Sequence, residues 1–297
     1  MLTRLSIALL TTAALSSACI PPEDPQGIPT FDPTTHLGQI QRADTLVVGI
    51  EDLAPLVSRD SSGEAEGFAV EHARWIADAL GVELEVRTAP SSAALITLLE
   101  RGVIDVAFPT APITEELLRN NVVTDPYLIS NQRLLVPEDS SAADVSDLAG
   151  DTVCWTVDPD TGVALDDIEA TIQIIRASTA RECARVLGSG EAQAATGLDL
   201  LLVAIIEKLQ ASGSCPQPFS CSAKIVGPDI ATAGIGALVQ QTQPSYRDFV
   251  NEVFADARAD GRWLDAFRLH IGPYLPAPPT PPGLSAEEAA ALYPTPT

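Results

Sequence analysis

Between residues 45 and 108 the chain alternates short runs of branched apolar residues with segments of helical spacing, and few folds accept that order. Residues 45–50, Thr-Leu-Val-Val-Gly-Ile, suit a strand buried on both faces. Val70, Ala73, Ile76, Ala77 and Leu80 then recur at helical spacing, and Gly81 stands where a helix ends. A strand over 82–86 follows, then a helix capped by Ser91 or Ser92 that runs to about Arg101 and stops at Gly102, then a strand over 104–108. Strand, helix, strand, helix, strand predicts a parallel sheet with helices on its faces.

A second series starts after Val136. It comprises strands at 152–157 and 172–175, a helix over 179–187 opened by the box Thr179 to Glu182, a strand at 192–196 and an apolar helix at 199–209. Strands at 225–226 and 234–239 and an amphipathic helix at 246–259 complete the body, ahead of Gly261, Trp263 and Phe267. Two series predict two α/β lobes. In such sheets ligands bind outside the carboxyl ends of the strands, which places a site between the lobes.

Charge removes one class of partner. With 40 Asp plus Glu against 17 Lys plus Arg, a formal charge of -23 and a pI near 4.2, the 297-residue chain lacks the cations that neutralise phosphates, so nucleic acid is excluded.

The two ends differ from the body. Arg4, the apolar run 5–15 and the small residues Ser16, Ser17 and Ala18 before Cys19 read as a secretory signal over 1–18, and the run is too short to span a bilayer of about 30 Å. Residues 15–19, Leu-Ser-Ser-Ala-Cys, resemble a bacterial lipobox with its leucine one position early, so Cys19 is expected to carry a lipid; the alternative is an ordinary cut near Ala18 that leaves a free thiol. The proline-rich stretch to residue 43 reads as a tether, and 274–297 as a proline-rich tail in which Ser285 and Glu288 could open a short helix.

Without Cys19, four cysteines remain, an even number in an exported and oxidising setting. Cys215 and Cys221 bracket a short loop with two prolines and are paired on that ground, which leaves Cys154 with Cys183. No Cys-x-x-Cys hook and only His36, His72 and His270 argue against a metal, and no cofactor is expected.

Ordered landmarks carry a resemblance. They are residues 46–50; Gly67-Phe68 with Glu71; Gly102-x-Ile104-Asp105-Val106; Thr114; Asp125-Pro126-Tyr127; residues 147–150; Gly234-Ile235-Gly236; and Asp260-Gly261-Arg262-Trp263. From about Thr45 to Pro273 their order resembles the extracellular solute-binding proteins that serve polar amino-acid ABC transporters, and Cys154 with Cys183 resembles a disulfide of the glutamate-binding branch. The resemblance implies a type 2 periplasmic-binding-protein fold, lobe 1 being 44–134 plus 233–273 and lobe 2 being 135–232. Crossing strands near 134–136 and 233–238 would let the lobes close on a small polar solute, which a membrane permease then accepts from a monomeric protein.

The resemblance also implies site residues, and here this sequence departs. Family members that take amino acids place an arginine three residues after the position of Thr114, where it clamps the substrate carboxylate. This chain has Leu117 there and Pro112 two residues before Thr114; Arg119, two residues on from Leu117, would point about 200° away on a helix. After the strand at 152–157 stand Asp158, Asp160 and Thr161, and an aspartate there would occupy the amides a substrate anion uses in the family. Asp199 is the nearest match to the aspartate that takes a substrate amino group. With Glu51, Asp52 and Glu71 near lobe 1 strand ends, and Thr110 and Thr114 as polar donors, the expected cleft is acidic, lacks an anion clamp and suits a cationic or neutral polar ligand other than an ordinary alpha-amino acid.

Each of these residues has a plainer explanation as a turn, cap or surface group, and Trp155 as packing against the disulfide. No Gly-x-Ser-x-Gly, His-Glu-x-x-His or Walker motif supports an enzyme. Two alternatives remain: a degenerate binding domain acting as a sensor or interaction module, and a dehydratase on this architecture.

Overall fold

Strand β1 (Thr45–Glu51) lies at the centre of lobe 1 in a computed structural model that describes residues 27–156, 172–213, 221–240, 244–275 and 280–283. It pairs in parallel with β4 (Glu83–Ala89) on one side and β5 (Val106–Phe108) on the other. Leu46, Val48 and Ile50 are fully buried, as an apolar strand covered on both faces requires. Helix α1 (His36–Ala43) precedes β1, a small hairpin of β2 (Ser58–Arg59) and β3 (Ala65–Glu66) follows it, and α2 (Phe68–Leu80) and α3 (Ser92–Glu100) cover the sheet.

The helix boundaries follow local chemistry. Gly81 ends α2 in the left-handed conformation at φ 68°, as its position predicts. The Ser91 hydroxyl accepts from the Ala94 amide and caps α3, and Gly102 turns the chain at φ 65°. Helix α4 (Glu115–Asn120) then leads into β6 (Val122–Pro137).

Lobe 2 repeats the scheme. Strand β7 (Thr152–Thr156) pairs in parallel with β8 (Gln173–Ala177) and with β9 (Ala194–Leu198). Helix α5 (Ala180–Gly188) starts where the Thr179 hydroxyl accepts from the Glu182 amide, and α6 (Asp199–Ser212) packs against it with Leu202, Val203, Ile205 and Ile206 buried.

The lobes are joined by β6 and β10 (Ala223–Val239), which pair antiparallel almost end to end with a break between Val226 and Ala231. One hydrogen-bonded sheet therefore runs β4-β1-β5-β10-β6-β9-β7-β8. The strands expected separately at 225–226 and 234–239 are two parts of β10, because the intervening Gly227-Pro228-Asp229 bends the strand without ending it. Helices α7 (Pro244–Ala259) and α8 (Arg262–His270) return to lobe 1, where the Trp263 indole donates to the Tyr127 carbonyl at 2.7 Å.

The stretch read as a tether to residue 43 is in part a docked helix. The Thr35 hydroxyl caps α1, Leu37 and Ile40 are buried, and His36 Nε2 lies 3.0 Å from Asp105. Two apolar positions are too few for the helical period to show in sequence. At the other end Pro281 and Pro282 are buried, so part of the proline-rich tail also packs. The signal, Cys19, Asp158, Asp160, Thr161 and Cys215 lie outside the described residues. Among the described residues no helix is long and apolar enough to cross a membrane.

Candidate functional site

A cavity of about 540 Å³ opens between the lobes. From lobe 1 it takes Glu51, Asp52 and Leu53 after β1, residues 90–93 at the start of α3, and Thr110, Ala111 and Pro112 after β5. From lobe 2 it takes Thr156 at the end of β7, residues 178–181 entering α5, Leu198 at the end of β9, and Leu201 and Lys208 of α6. The parallel strands of both lobes thus point their carboxyl ends into one cleft, the location expected for an open α/β sheet.

Glu51 is the fixed charge of the lobe 1 wall. Its Oε2 accepts from the Ser92 hydroxyl at 2.7 Å and from the Thr110 amide and hydroxyl, each at 3.1 Å. Ser92 Oγ in turn accepts from the Ala111 amide at 3.3 Å. Three donors on one oxygen hold the carboxylate in place and leave Oε1 without a protein donor among the described residues. Asp52 stands beside it, exposed, its amide bonded to the Ala89 carbonyl at 2.8 Å.

Three other predicted residues sit away from the lining. Glu71 faces Arg74 at 3.0 Å and His270 at 3.9 Å, and the neighbouring His270, opposed by burial and aided by Arg74, lowers its pKa. The Thr114 hydroxyl caps α4 by accepting from the Leu117 amide at 3.1 Å, and Leu117 packs against the lobe 1 apolar cluster. Asp199 is buried under the hinge: Oδ2 accepts from the Asn131 amide at 3.2 Å, and Oδ1 lies 3.7 Å from Arg133 Nε. Burial outweighs the Arg133 charge and pushes the Asp199 carboxyl up to about 6. Arg119 is exposed, and its Nε bonds the Glu115 carbonyl, outside the cleft.

Two lining cations escaped the sequence reading. Arg181 and Lys208 enter the same cavity from α5 and α6, so its lining carries cations as well as the expected acidic residues. The capping box that revealed α5 also put Arg181 next to a strand end, but its role depends on how α5 sits against α6, which no local pattern encodes.

Cys154 and Cys183 form the expected disulfide between β7 and α5, with Cα atoms 5.7 Å apart, and both are fully buried. Trp155 is 7% exposed, with the Arg176 guanidinium 4.6 Å from its ring centroid, and it lies outside the lining. Cys221 is also disulfide-bonded. Among the described residues no cluster could hold a metal ion, and the lining contains no histidine or cysteine.

The chain is similar to known proteins in sequence and in fold. Over 240 residues the chain is 24% identical to the ABC transporter glutamine-binding protein GlnH of Bacillus subtilis, covering 79% of this chain and 84% of that one. The arginine-bound form of a truncated ArgBP from T. maritima matches with a TM-score of 0.57 and 25% identity, over 74% of this chain and 99% of that one. The ancestral amino acid-binding protein AncCDT-1, a precursor of cyclohexadienyl dehydratase, shares the fold at a TM-score of 0.63 and 21% identity, over 80% and 100%. Residues 46–272 match the family described as bacterial extracellular solute-binding proteins, family 3, and the chain belongs to that family.

Proposed function

We propose that this protein captures a small polar solute of amino-acid size between its lobes, with a cationic group of the solute on Glu51, and hands it to an ABC permease. One observation carries the reading: a carboxylate held by three donors, with one oxygen open, at a strand end in an interlobe cavity. A volume of about 540 Å³ falls in the usual range for small-molecule sites, roughly 300–1,000 Å³. The glutamine-binding relative and the arginine-bound neighbour support a solute of that size and polarity. Leu117 offers lobe 1 no charge for a solute carboxylate, so the lobe 1 end of the ligand is its positive end.

Export and attachment follow from residues 5–19: the apolar run delivers the chain across the membrane, and lipid on Cys19 keeps it at the outer face as a monomer beside the permease. A Cys19→Ser variant is expected to leave the membrane fraction.

A thermal-shift and calorimetry panel of amino acids, amines, oligopeptides and sugars tests the binding. A cleft ligand is expected to stabilise the protein by about 2.7 kcal/mol at a hundredfold excess over its Kd, and Glu51→Gln to abolish that gain. Silence across the whole panel would favour the interaction-module alternative; turnover of a cyclohexadienyl acid would favour the dehydratase one.

A further inference from the structure

We propose that Arg181 and Lys208 form an anion-receiving wall on lobe 2, so that the solute is one whose positive and negative groups are divided between the lobes, a zwitterion with its carboxylate on lobe 2. The inference rests on the cleft-binding function above and names the far end of the same ligand.

Both cations line the cavity that Glu51 lines from the other lobe. Neither makes an ion pair among the described residues, although Arg74, Arg87, Arg133, Arg185, Arg247 and Arg262 all meet carboxylates. Other cations of the chain also meet no carboxylate, but among the described residues these two are the ones that line the cavity. Lys208 and Lys224 are the only lysines of the sequence.

Local helix physics does not account for Arg181. It occupies the first turn of α5, after the Thr179 cap, where a cation opposes the helix dipole and Glu182 satisfies it. A residue that breaks a local rule without a local gain points to use elsewhere. Lys208 lies seven residues after Leu201 on α6, and at that spacing both fall on one helix face, the face that reaches the cleft. Because α5 packs on α6, the two cations belong to one rigid wall.

The consequence is a closure mechanism. A ligand with both charges bridges Glu51 on lobe 1 and the basic pair on lobe 2, and it gains both contacts only when the hinge closes. A ligand with the positive group alone binds lobe 1 and pulls nothing across.

Calorimetry with L-arginine and L-glutamine against their decarboxylated counterparts, agmatine and 4-aminobutanamide, tests this on the purified protein. The wild type is expected to bind at least one amino acid about tenfold or more tightly than its amine, the scale of a lost charge-assisted bond. The Arg181→Gln/Lys208→Gln double variant is expected to lose that preference, and the charge-preserving Arg181→Lys/Lys208→Arg variant to keep most of it. Equal binding of amino acid and amine, or a preference retained in the double Gln variant, overturns the inference; if Glu51→Gln still abolishes binding, the cleft function survives. If no member of the panel binds the wild type, both readings fall together. Unchanged melting temperatures of the variants without ligand exclude unfolding as the cause.

Discussion

Thr110 donates both its backbone amide and its hydroxyl to a single oxygen of Glu51, each at 3.1 Å. One residue at the end of β5 thereby fixes a carboxylate at the end of β1, and the pair sets the charge of the lobe 1 wall before any ligand arrives. Preorganisation of this kind saves the ordering cost at the moment of binding.

Replacing Thr110 by Val removes the hydroxyl and keeps the amide. The carboxylate loses one of three donors, so ligand affinity is expected to fall about three- to tenfold, corresponding to a net hydrogen bond of about 1 kcal/mol. Calorimetry reads the loss. A Kd unchanged within twofold would show that the hydroxyl does not hold Glu51.

Asp199 gives a pH signature. Its folded pKa of about 6 lies above the ordinary aspartate value near 3.9, so between those limits the folded state keeps a proton that the unfolded chain has released. The contribution is stabilising in acid and is lost as pH rises through about 6; two units correspond to roughly 3 kcal/mol at most. Asp199→Asn cannot titrate there. Its stability relative to wild type, from urea unfolding, is expected to rise between pH 4 and 6 and level off above pH 7. A difference that is flat across the range would contradict the assignment.

The Cys154 to Cys183 bridge closes a loop with a sequence separation of 29, for which chain entropy gives about 3–4 kcal/mol of stabilisation. The Cys154→Ala/Cys183→Ala variant is expected to lose approximately that much in denaturant unfolding. Since both sulfurs are buried, mild reductant on the folded protein should leave the melting curve unchanged.

Much of this was legible in the sequence, for a physical reason. Strands such as 45–50 and helices such as 68–80 announce themselves through period and caps, which are local, and so the alternation could be read directly, whereas Glu51, Asp52 and Thr110 are named for a cleft that the family resemblance implies. What stayed hidden was set by packing. Helix α1 carries only Leu37 and Ile40 as buried large residues, too few for a period. Asp199 looks like a ligand aspartate in sequence, but the first turn of α6 tucks it under β6 beside Asn131 and Arg133. Arg181 and Lys208 lie 27 positions apart and meet only because α5 folds onto α6.

Gly197 and Thr156 provide the last test, because their contact links strand packing to the cleft. A Cβ on Gly197 would collide with the Thr156 hydroxyl oxygen, while the nearest atom of Leu202 stays at an ordinary 3.7 Å. Thr156 is 5% exposed, lines the cavity and bonds the Thr196 carbonyl at 3.3 Å. Gly197→Ala must therefore displace Thr156, at a cost typical of overpacking, about 1–3 kcal/mol, and it should weaken ligand binding as the cleft wall shifts. Thr156→Ala removes the obstructing oxygen. The double variant is expected to be more stable than the sum of the single effects predicts, by at least about 0.5 kcal/mol in a double-mutant cycle. Strict additivity would mean that Gly197 is required by something other than the side chain across the strand pair.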